Sequence, residues 1–240
     1  MLTCAAMGFP RRVAPEQLDA LPAQDAAAIQ SRRDLQRLNV MMGQPAAIAR
    51  PLAAHAAARP IRRLIDLGGG DGTLLLQVAR RLASCYRGVQ GVVVDRHRLV
   101  SPRTREAFAA LGWGLEAATA DAFEWLRCAP PQAGTVVIAN LFLHHLLEAP
   151  LGALLAQVAA QAELFVACEP RRSRFTLGAS GLVGWIGCNA VTQHDATTSV
   201  RAGFTDREIS RLWPAGEDWQ TEEGPTGLFS HSFVASRRGG

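Results

Sequence analysis

The segment Leu64–Arg80 constrains the fold more than any other part of the chain. It begins with a short apolar run of the kind that forms a buried parallel strand. Four glycines then fall within five residues, at positions 68, 69, 70 and 72. Glycine tolerates positive φ and lets the backbone approach a ligand closely. Apolar residues recur at helical spacing after Thr73. The segment therefore predicts a strand, a glycine turn and a helix, an arrangement that binds cofactors in open α/β sheets.

The spacing of the glycines argues against two common nucleotide motifs. A dinucleotide fingerprint requires glycine at the first, third and sixth positions of the turn, and the sixth position counted from Gly68 is Thr73. A P-loop requires Lys, and all 25 basic residues of this chain are Arg. The pattern present is acid-x-Gly-x-Gly-x-Gly, formed by Asp66, Gly68, Gly70 and Gly72. A strand–helix connection that binds nothing also stays open at this point.

Strand and helix signals alternate through the middle of the chain. The predicted strands are 64–67, Val89–Asp95, Leu115–Ala120, Thr135–Ala139 and Leu164–Cys168, and the predicted helices between them include Ser101–Leu111, Asp121–Arg127 and Pro150–Gln161. Alternation of this kind predicts a doubly wound parallel sheet. After a predicted helix at Asp206–Leu212, strands at Trp219–Glu223 and Leu228–Ser236 flank Gly-Pro-Thr-Gly. This last pair predicts a terminal antiparallel hairpin.

The first quarter of the chain is predicted to be helical. Residues 1–13 are predicted to form a loose tail, and helical spacing runs from Pro15 to about Ala58. Pro22, the Gly43–Pro45 stretch and Pro51 are predicted to divide it into two or three helices. We therefore divide the chain into an N-terminal extension, residues 1–58, and a main domain, residues 59–240. The extension either forms a lid over the site or packs on the sheet.

Composition narrows the classes of partner. With 240 residues and a mean hydropathy of +0.06, the chain can bury a full core. The net charge of +4 is dispersed, which disfavours a nucleic-acid partner.

Five cysteines, widely spaced and without C-x-x-C, predict neither a disulfide framework nor a metal site, and they fit a cytoplasmic location. Phe175–His194 lacks formal charge, but its glycines argue against a membrane span, so it is predicted to line an apolar pocket.

Polar residues end three of the predicted parallel strands. Asp95 follows the second strand, where a carboxylate can accept hydrogen bonds from ribose hydroxyls; a helix cap or an ion pair with Arg96 or Arg98 is the alternative. Asp121 follows the third strand and is also suited to cap the next helix. Asn140 ends the fourth strand and faces the crevice where ligands bind in such sheets.

Over about Ile61–Ser236 the chain resembles the class I S-adenosylmethionine (SAM)-dependent methyltransferases. The resemblance lies in the glycine motif, in Asp95 and Asp121, and in the stretch NLFLHH. NLFLHH, ACEPRRS and HDATTSVRAGF are also similar to a bacterial subgroup associated with polyketide and phenolic-lipid pathways. Asn140 replaces the acid of many relatives, and no Pro-Pro-Tyr follows it, which argues against methylation of amino groups in DNA or glutamine.

The resemblance implies a Rossmann-like, seven-stranded sheet with a terminal hairpin that binds SAM. The cofactor-binding residues that it implies, together with those read from the strand ends, are Asp66, Gly68, Gly69, Gly70, Gly72, Asp95, Arg96, Asp121, Ala122 and Asn140. In the family, the acid at the position of Asp121 binds the adenine amino group and the next residue packs near the ring.

Two histidines are candidate general bases. In plant-type O-methyltransferases a base histidine follows the fourth strand, and His144 falls near that position; histidine suits the removal of a hydroxyl proton near neutral pH. His194, beside Asp195, is the second candidate. Packing roles, or catalysis by proximity alone, are the alternatives. The candidate acceptor-binding residues are His145, Trp185, Asn189 and Arg201. An ion pair of Arg201 with Asp195 or Asp206 is equally open.

We therefore predict a cytoplasmic enzyme of secondary metabolism that methylates a small apolar acceptor, phenolic or polyketide-like, at oxygen rather than carbon. The expected cofactor is SAM, with no membrane span, and the oligomeric state stays open, a homodimer included. Two alternatives remain. One is a non-catalytic binding or assembly protein that retained the SAM pocket, and the other is an RNA methyltransferase, which the dispersed charge disfavours.

Overall fold

A computed structural model describes residues 9–56, 59–214 and 216–238, and it shows one seven-stranded sheet in the order β3-β2-β1-β4-β5-β7-β6. The strands are β1 (Arg63–Leu67), β2 (Gln90–Asp95), β3 (Gly114–Thr119), β4 (Thr135–Asn140), β5 (Leu164–Pro170), β6 (Trp219–Thr226) and β7 (Ser230–Arg237). β1 to β5 pair in parallel, whereas β7 pairs antiparallel with both β5 and β6. The predicted α/β sheet with a terminal hairpin is confirmed.

The described residues form ten α-helices and two short 3-10 helices. The α-helices are α1 (Gln17–Ala20), α2 (Ala26–Met41), α3 (Gln44–Ala56), α4 (Thr73–Leu82), α5 (Pro102–Ala110), α6 (Ala122–Cys128), α7 (Glu148–Gln161), α8 (Arg174–Ser180), α9 (Ala190–Ala202) and α10 (Glu208–Leu212). The 3-10 helices are Leu143–His145 and Val183–Ile186. None of the helices in the described ranges combines the length and apolar character needed to span a membrane.

The central strands are buried on both faces, which explains their continuous apolar sequences. Every residue of β4 and β5 is buried. Alternate residues feed two cores: Val137 and Phe165 pack with α6, α7 and the aromatic rings of the C-terminal region, while Val136 and Val166 pack with α3 and α4. Layers of helix on both faces let the carboxyl ends of β1, β2 and β4 form a common edge.

Helix α3 belongs to the core of the sheet. Ile48 and Leu52 are fully buried, in the same cluster as Leu64 and Val78. The prediction that Pro51 ends a helix is wrong, because Pro51 lies inside α3. Proline removes one backbone donor and strains the preceding turn. Burial of Ile48 and Leu52 on either side outweighs that cost.

Helix α2 packs instead against α9, through a buried aspartate. The carboxylate of Asp34 is fully buried and accepts hydrogen bonds from the backbone N–H of Asn189 at 2.8 Å and from the Thr192 hydroxyl at 3.3 Å. Arg37 forms an ion pair with it. On the same helix, Gln36 donates to Asp71 of the glycine turn at 2.7 Å. Within the extension, α3 packs on the sheet and α2 lies beside the glycine turn, and a role as a lid stays a prediction.

The prediction of a loose tail is wrong for residues 9–13. The guanidinium of Arg11 donates to the carbonyls of Ala202 at 2.8 Å and Leu146 at 2.9 Å, and the backbone N–H of Arg12 donates to Arg201 at 2.9 Å. Three bonds to distant carbonyls fix this stretch against the domain. Residues 1–8 of the predicted tail lie outside the described residues.

The segment predicted to line an apolar pocket turns its large side chains outward. It forms α8, the second 3-10 helix and the start of α9. Phe175, Leu182 and Trp185 are exposed, Trp185 to 89%. The short helices bury mainly small polar residues such as Thr176 and Ser180, so the apolar residues are left on the surface.

We expect Asp34→Ala to lower the free energy of unfolding by about 2 to 4 kcal/mol, because it leaves the N–H of Asn189 and the buried Thr192 hydroxyl with fewer partners. Urea unfolding followed by circular dichroism measures the change. Asp218→Ala, at an exposed aspartate, is the matched control and should shift stability by less than about 0.5 kcal/mol. Equal effects of the two substitutions would contradict the role of Asp34.

Candidate active site

The glycine turn between β1 and α4 adopts a backbone that other residues rarely adopt. Gly68, Gly70 and Gly72 have φ of +68°, +57° and +78°. A Cβ on Gly68 would lie 2.5 Å from the ring of Phe142, whereas a Cβ on Gly70 would meet no atom within 4 Å. Gly70 therefore borders open space. A Cβ on Gly69 would lie 2.8 Å from the carboxyl group of Asp66, so this glycine makes room for the acid.

Asp66, in β1, is a buried acid without a partner. Both carboxylate oxygens are buried, and neither has a hydrogen-bond partner among the described residues. Burial, followed by the negative charges of Asp95 and Asp71, raises the pKa of Asp66 to about 8. An unpartnered buried acid is costly for a fold and marks Asp66 as a candidate functional residue.

Asp95, at the end of β2, is joined to the glycine turn. Its Oδ2 accepts a hydrogen bond from the Gly70 N–H at 2.9 Å, and its Oδ1 accepts one from the His97 N–H at 2.8 Å. A cavity of about 230 Å³ lies beside it, bordered also by Val100 and Thr119. Each carboxylate oxygen keeps a second lone pair for a ligand hydroxyl.

Asp121 caps helix α6, as the sequence allowed. Its Oδ1 accepts from the Phe123 N–H at 2.9 Å, and its Oδ2 forms an ion pair with Arg96 at 2.6 Å. This hydrogen bond with Arg96 is the main reason that the pKa of Asp121 is lowered. Ala122 is the first residue of α6 and is buried. Arg96 thus contacts Asp121 rather than Asp95.

Asn140 ends β4 with a buried side-chain oxygen that has no partner among the described residues. The next residue, Leu141, has a φ of +51°, an uncommon conformation for a non-glycine residue. Such strain occurs most often at functional sites. The strained turn sends the chain from the end of β4 into Phe142, which covers Gly68.

Glu169, near the end of β5, organises the loop that follows β4. It is fully buried, and its Oε1 accepts from the N–H groups of Phe142 at 3.0 Å and Leu143 at 2.8 Å. Its Oε2 lies 2.7 Å from Nδ1 of His144. Glu169 is not among the site residues predicted from the sequence. The available signal was an acid inside an otherwise apolar strand, in ACEPRRS.

His144 is buried between two carboxylates. Its Nδ1 faces Glu169, and its Nε2 lies 3.2 Å from Oε1 of Glu16. Burial alone would lower the pKa of His144, but the hydrogen bonds and charges of Glu16 and Glu169 outweigh it and raise the pKa to about 9. In this arrangement the imidazole is protonated and has no free nitrogen. Action as a base would require His144 first to pass its Nε2 proton to Glu16 and Glu16 then to withdraw, so that Nε2 is free.

His145 lies beside His144, with ring centroids 4.2 Å apart. Its Nδ1 is 3.4 Å from Oδ2 of Asp19. Glu16 is the residue before α1, and Asp19 lies within α1. Their contacts bring the N-terminal segment to the two histidines. Sequence reasoning missed both acids, because in the sequence they are ordinary charges on a short helix.

The remaining candidate residues have structural contacts of their own. The side-chain oxygen of Asn189 caps α9 by accepting a hydrogen bond from the Thr192 N–H at 2.9 Å. The side-chain nitrogen of Asn189 donates to the Ala27 carbonyl at 2.8 Å. Nδ1 of His194 lies 2.9 Å from Asp195, whose carboxylate also accepts from two N–H groups of α1. Arg201 is exposed and forms no ion pair in the part of the chain that the structure describes.

The described geometry therefore brings some predicted residues together and leaves others apart. The glycine turn, Asp66 and Asp95 form one group. The loop 140–145, which carries His144 and His145, contacts this group where Phe142 covers Gly68. Trp185 lies on the surface, and the side chain of Asn189 is occupied by backbone contacts.

The strand order, the hairpin and the glycine turn at the end of β1 define the class I SAM-dependent methyltransferase fold. Similar solved structures share it. An O-methyltransferase family protein from Burkholderia thailandensis matches with a TM-score of 0.61 and 18% identity, over 91% of this chain and 62% of that one. The plantazolicin methyltransferase BamL, in complex with a triazolic desmethylPZN analog and SAH, matches with a TM-score of 0.59 and 11% identity, over 92% and 93%.

Magnesium protoporphyrin IX methyltransferase (ChlM) from Synechocystis PCC 6803, with bound SAM, matches with a TM-score of 0.52 and 13% identity, over 92% of this chain and 88% of that one. No family model matches the sequence, and no curated protein matches it significantly. At these identities the similarity establishes the fold.

We expect Asp66→Asn to stabilise the ligand-free protein, and increasingly so as the pH rises. The folded protein keeps a proton on Asp66 up to about pH 8, whereas the unfolded chain loses it near the ordinary value of 3.8. The free energy of unfolding therefore falls as the pH rises from 3.8 to about 8, by at most about 1.4 kcal/mol per pH unit. The asparagine variant does not ionise and should escape this loss.

Urea unfolding at several pH values between about 5 and 9 measures the difference. The advantage of Asp66→Asn should grow up to about pH 8 and then stay constant. Asp218→Asn is the control at an exposed position. A difference that does not depend on pH would show that Asp66 has an ordinary pKa.

Proposed function

We propose that this protein is a SAM-dependent methyltransferase that acts on an oxygen of a small apolar acceptor. The observation that carries the proposal is the buried, unpartnered carboxylate of Asp66 beside the glycine turn, in a fold of this class. A cofactor with an ammonium group would supply the missing charge partner. The residues present fit SAM in this respect.

Other groups at the same edge fit the remaining parts of the cofactor. Asp95 has free lone pairs beside the cavity and is suited to a vicinal diol. The open space at Gly70 admits close approach of a ligand to the backbone. The unpartnered oxygen of Asn140 is suited to accept a hydrogen bond from the cofactor's amino group or from the acceptor. Asp121 and Ala122 are assigned to the adenine end through the family resemblance.

When bound, SAM supplies an electrophilic methyl group on a sulfonium. The protein's task is then to hold the acceptor oxygen in line with that methyl group and to manage its proton. The loop 140–145 is placed to do both, because Phe142 covers Gly68 and His144 lies two residues further on. The buried Glu16–His144–Glu169 array is the group that we assign to the proton of the acceptor hydroxyl.

A small apolar acceptor is favoured over RNA. The basic residues are dispersed along the chain rather than gathered in a block. BamL was solved with a triazolic desmethylPZN analog, and ChlM is named for magnesium protoporphyrin IX, so the names of two proteins of similar fold point to small molecules. A cytoplasmic location and a role in secondary metabolism form part of the same proposal. A non-catalytic protein that binds SAM is the alternative that measured activity would exclude.

We expect purified protein to bind SAM and S-adenosylhomocysteine, but not NAD, in a calorimetric titration. Asp95→Ala should weaken binding by about 10- to 100-fold, because hydrogen bonds to a charged group contribute about 1.5 to 3 kcal/mol. Glu106→Ala, at an exposed acid of α5, is the control and should bind as the wild type does. Failure of the wild-type protein to bind either compound would contradict the cofactor assignment.

We expect His144→Ala to lower the maximal rate on a phenolic acceptor by about 10²- to 10⁴-fold, the usual range for loss of acid–base assistance. The affinity for SAM should stay near the wild-type value. Steady-state kinetics and calorimetry on the same preparations separate the two effects. His55→Ala, in α3, is the control. An unchanged rate would move the role to His194 or to proximity alone.

A further inference from the structure

We propose that Glu16, His144 and His145 bind one divalent transition-metal ion. This goes beyond methyl transfer, and the bare protein is sufficient to test it. One ring nitrogen of each histidine and one carboxylate oxygen of Glu16 lie within 4.8 Å of one another. The sequence predicted no metal site, because the ligands come from segments more than a hundred residues apart.

The spacing between ligand atoms suits a metal. Oε1 of Glu16 and Nε2 of His144 are 3.2 Å apart. Two ligands at about 2.1 Å from a tetrahedral zinc ion are separated by about 3.4 Å, so this pair needs only a small adjustment to share an ion. The same separation also suits a hydrogen bond. The groups around the two imidazole rings distinguish a metal site from a hydrogen bond.

An outer carboxylate lies beside Nδ1 of each histidine. Nδ1 of His144 is hydrogen-bonded to Glu169 at 2.7 Å, whereas Nδ1 of His145 lies 3.4 Å from Asp19, a looser ionic contact. Histidines that bind metals usually donate their other ring N–H to a carboxylate, as His144 does to Glu169, which fixes the tautomer and the ring orientation. An ion would replace the present contact of Nε2 of His144 with Glu16 and would bind one ring nitrogen of His145.

A hydrogen-bonded array without metal explains only half of the cluster. A protonated His144 satisfies Glu16 and Glu169, whereas the imidazole of His145, 4.2 Å from it, has the looser 3.4 Å contact with the exposed Asp19. Arg11 is the nearby guanidinium, and it is bound to backbone carbonyls rather than to these acids. A divalent cation would use both imidazoles and balance the buried carboxylates.

The ligands are held in place before any ion binds. Ser199 donates a hydrogen bond to Glu16, and Asp195 accepts from the N–H groups of Gln17 and Leu18 at 2.8 and 2.9 Å. Glu169 accepts from the backbone of the loop that carries the histidines. A site whose ligands are fixed by their neighbours binds a metal with little loss of entropy.

The donor set indicates which ions to expect. Two imidazoles and one carboxylate suit Zn²⁺, Co²⁺ or Fe²⁺, whereas Mg²⁺ and Ca²⁺ prefer oxygen ligands alone. Three protein ligands leave a position for an exogenous oxygen. If the proposed methylation is correct, that position would accept the acceptor hydroxyl and lower its pKa, and His144 would then act as a ligand rather than as a base.

The test is metal titration of the full chain after removal of metals with a chelator. Calorimetry with Zn²⁺ and visible absorption with Co²⁺ should show one ion per chain, with a Kd of about 1 μM or lower. Glu16→Gln and His145→Ala should each weaken binding by at least about tenfold, the smaller of the losses usual around a metal site. Thermal melting without metal verifies that both variants are folded, and Glu16→Gln preserves the size of the side chain.

His194→Ala is the matched control, since His194 also contacts a carboxylate but lies outside the cluster. It should bind metal as the wild type does. Absence of binding by the folded wild-type protein, or equal binding by all variants, would overturn the proposal. SAM titration of the same samples separates the outcomes: SAM binding without metal binding overturns this proposal alone, and metal binding without SAM binding overturns the proposed function alone.

Discussion

The hydrogen bonds of Glu169 support the rest of the candidate site. One carboxylate, fully buried at the end of β5, accepts from two consecutive N–H groups of the loop after β4 and from the ring of His144. These bonds satisfy backbone donors that have no partner in the sheet and fix the loop that leaves the strained Leu141. Without that acid, neither Phe142 over the glycine turn nor the two histidines would have a defined position.

The site contains two buried acids in opposite situations. Glu169 has a partner for each oxygen, whereas Asp66 has none among the described residues. The first contributes to stability, because charge-assisted hydrogen bonds offset the cost of burial. The second reduces it, and a fold tolerates such a group where function requires it. The carboxylate that contributes to stability is thus a different one from the carboxylate that we propose for ligand binding.

The sequence predicted the sheet well, because a sheet depends on local patterns, and the same patterns selected the residues that we propose for the cofactor side of the site. Apolar runs followed by glycines or single acids identify parallel strands and their carboxyl ends, and Asp66, Asp95 and Asn140 were found in this way. The partners of the two histidines could not be predicted in this way. Glu16 and Glu169 reach His144, and Asp19 reaches His145, only through tertiary packing. Nothing in the local sequence distinguishes Glu16 and Asp19 from surface charges, and the signal for Glu169 was an acid inside an apolar strand. Trp185 was misplaced for a similar reason, since short helices do not reveal which face they bury.

Contacts between distant parts of the chain also set the order in which the site can form. Glu16 and His144 are 128 residues apart in sequence, and Arg11 reaches the carbonyl of Leu146 across 135 residues. Closing such long loops is entropically costly and slow, so we expect these contacts to form late in folding, after the sheet has assembled. During synthesis the segment with Arg11 and Glu16 leaves the ribosome well before its partners Leu146, Ser199 and Ala202. It can take its place only when these partners have followed, so the completed cluster reports that distant parts of the domain have come together.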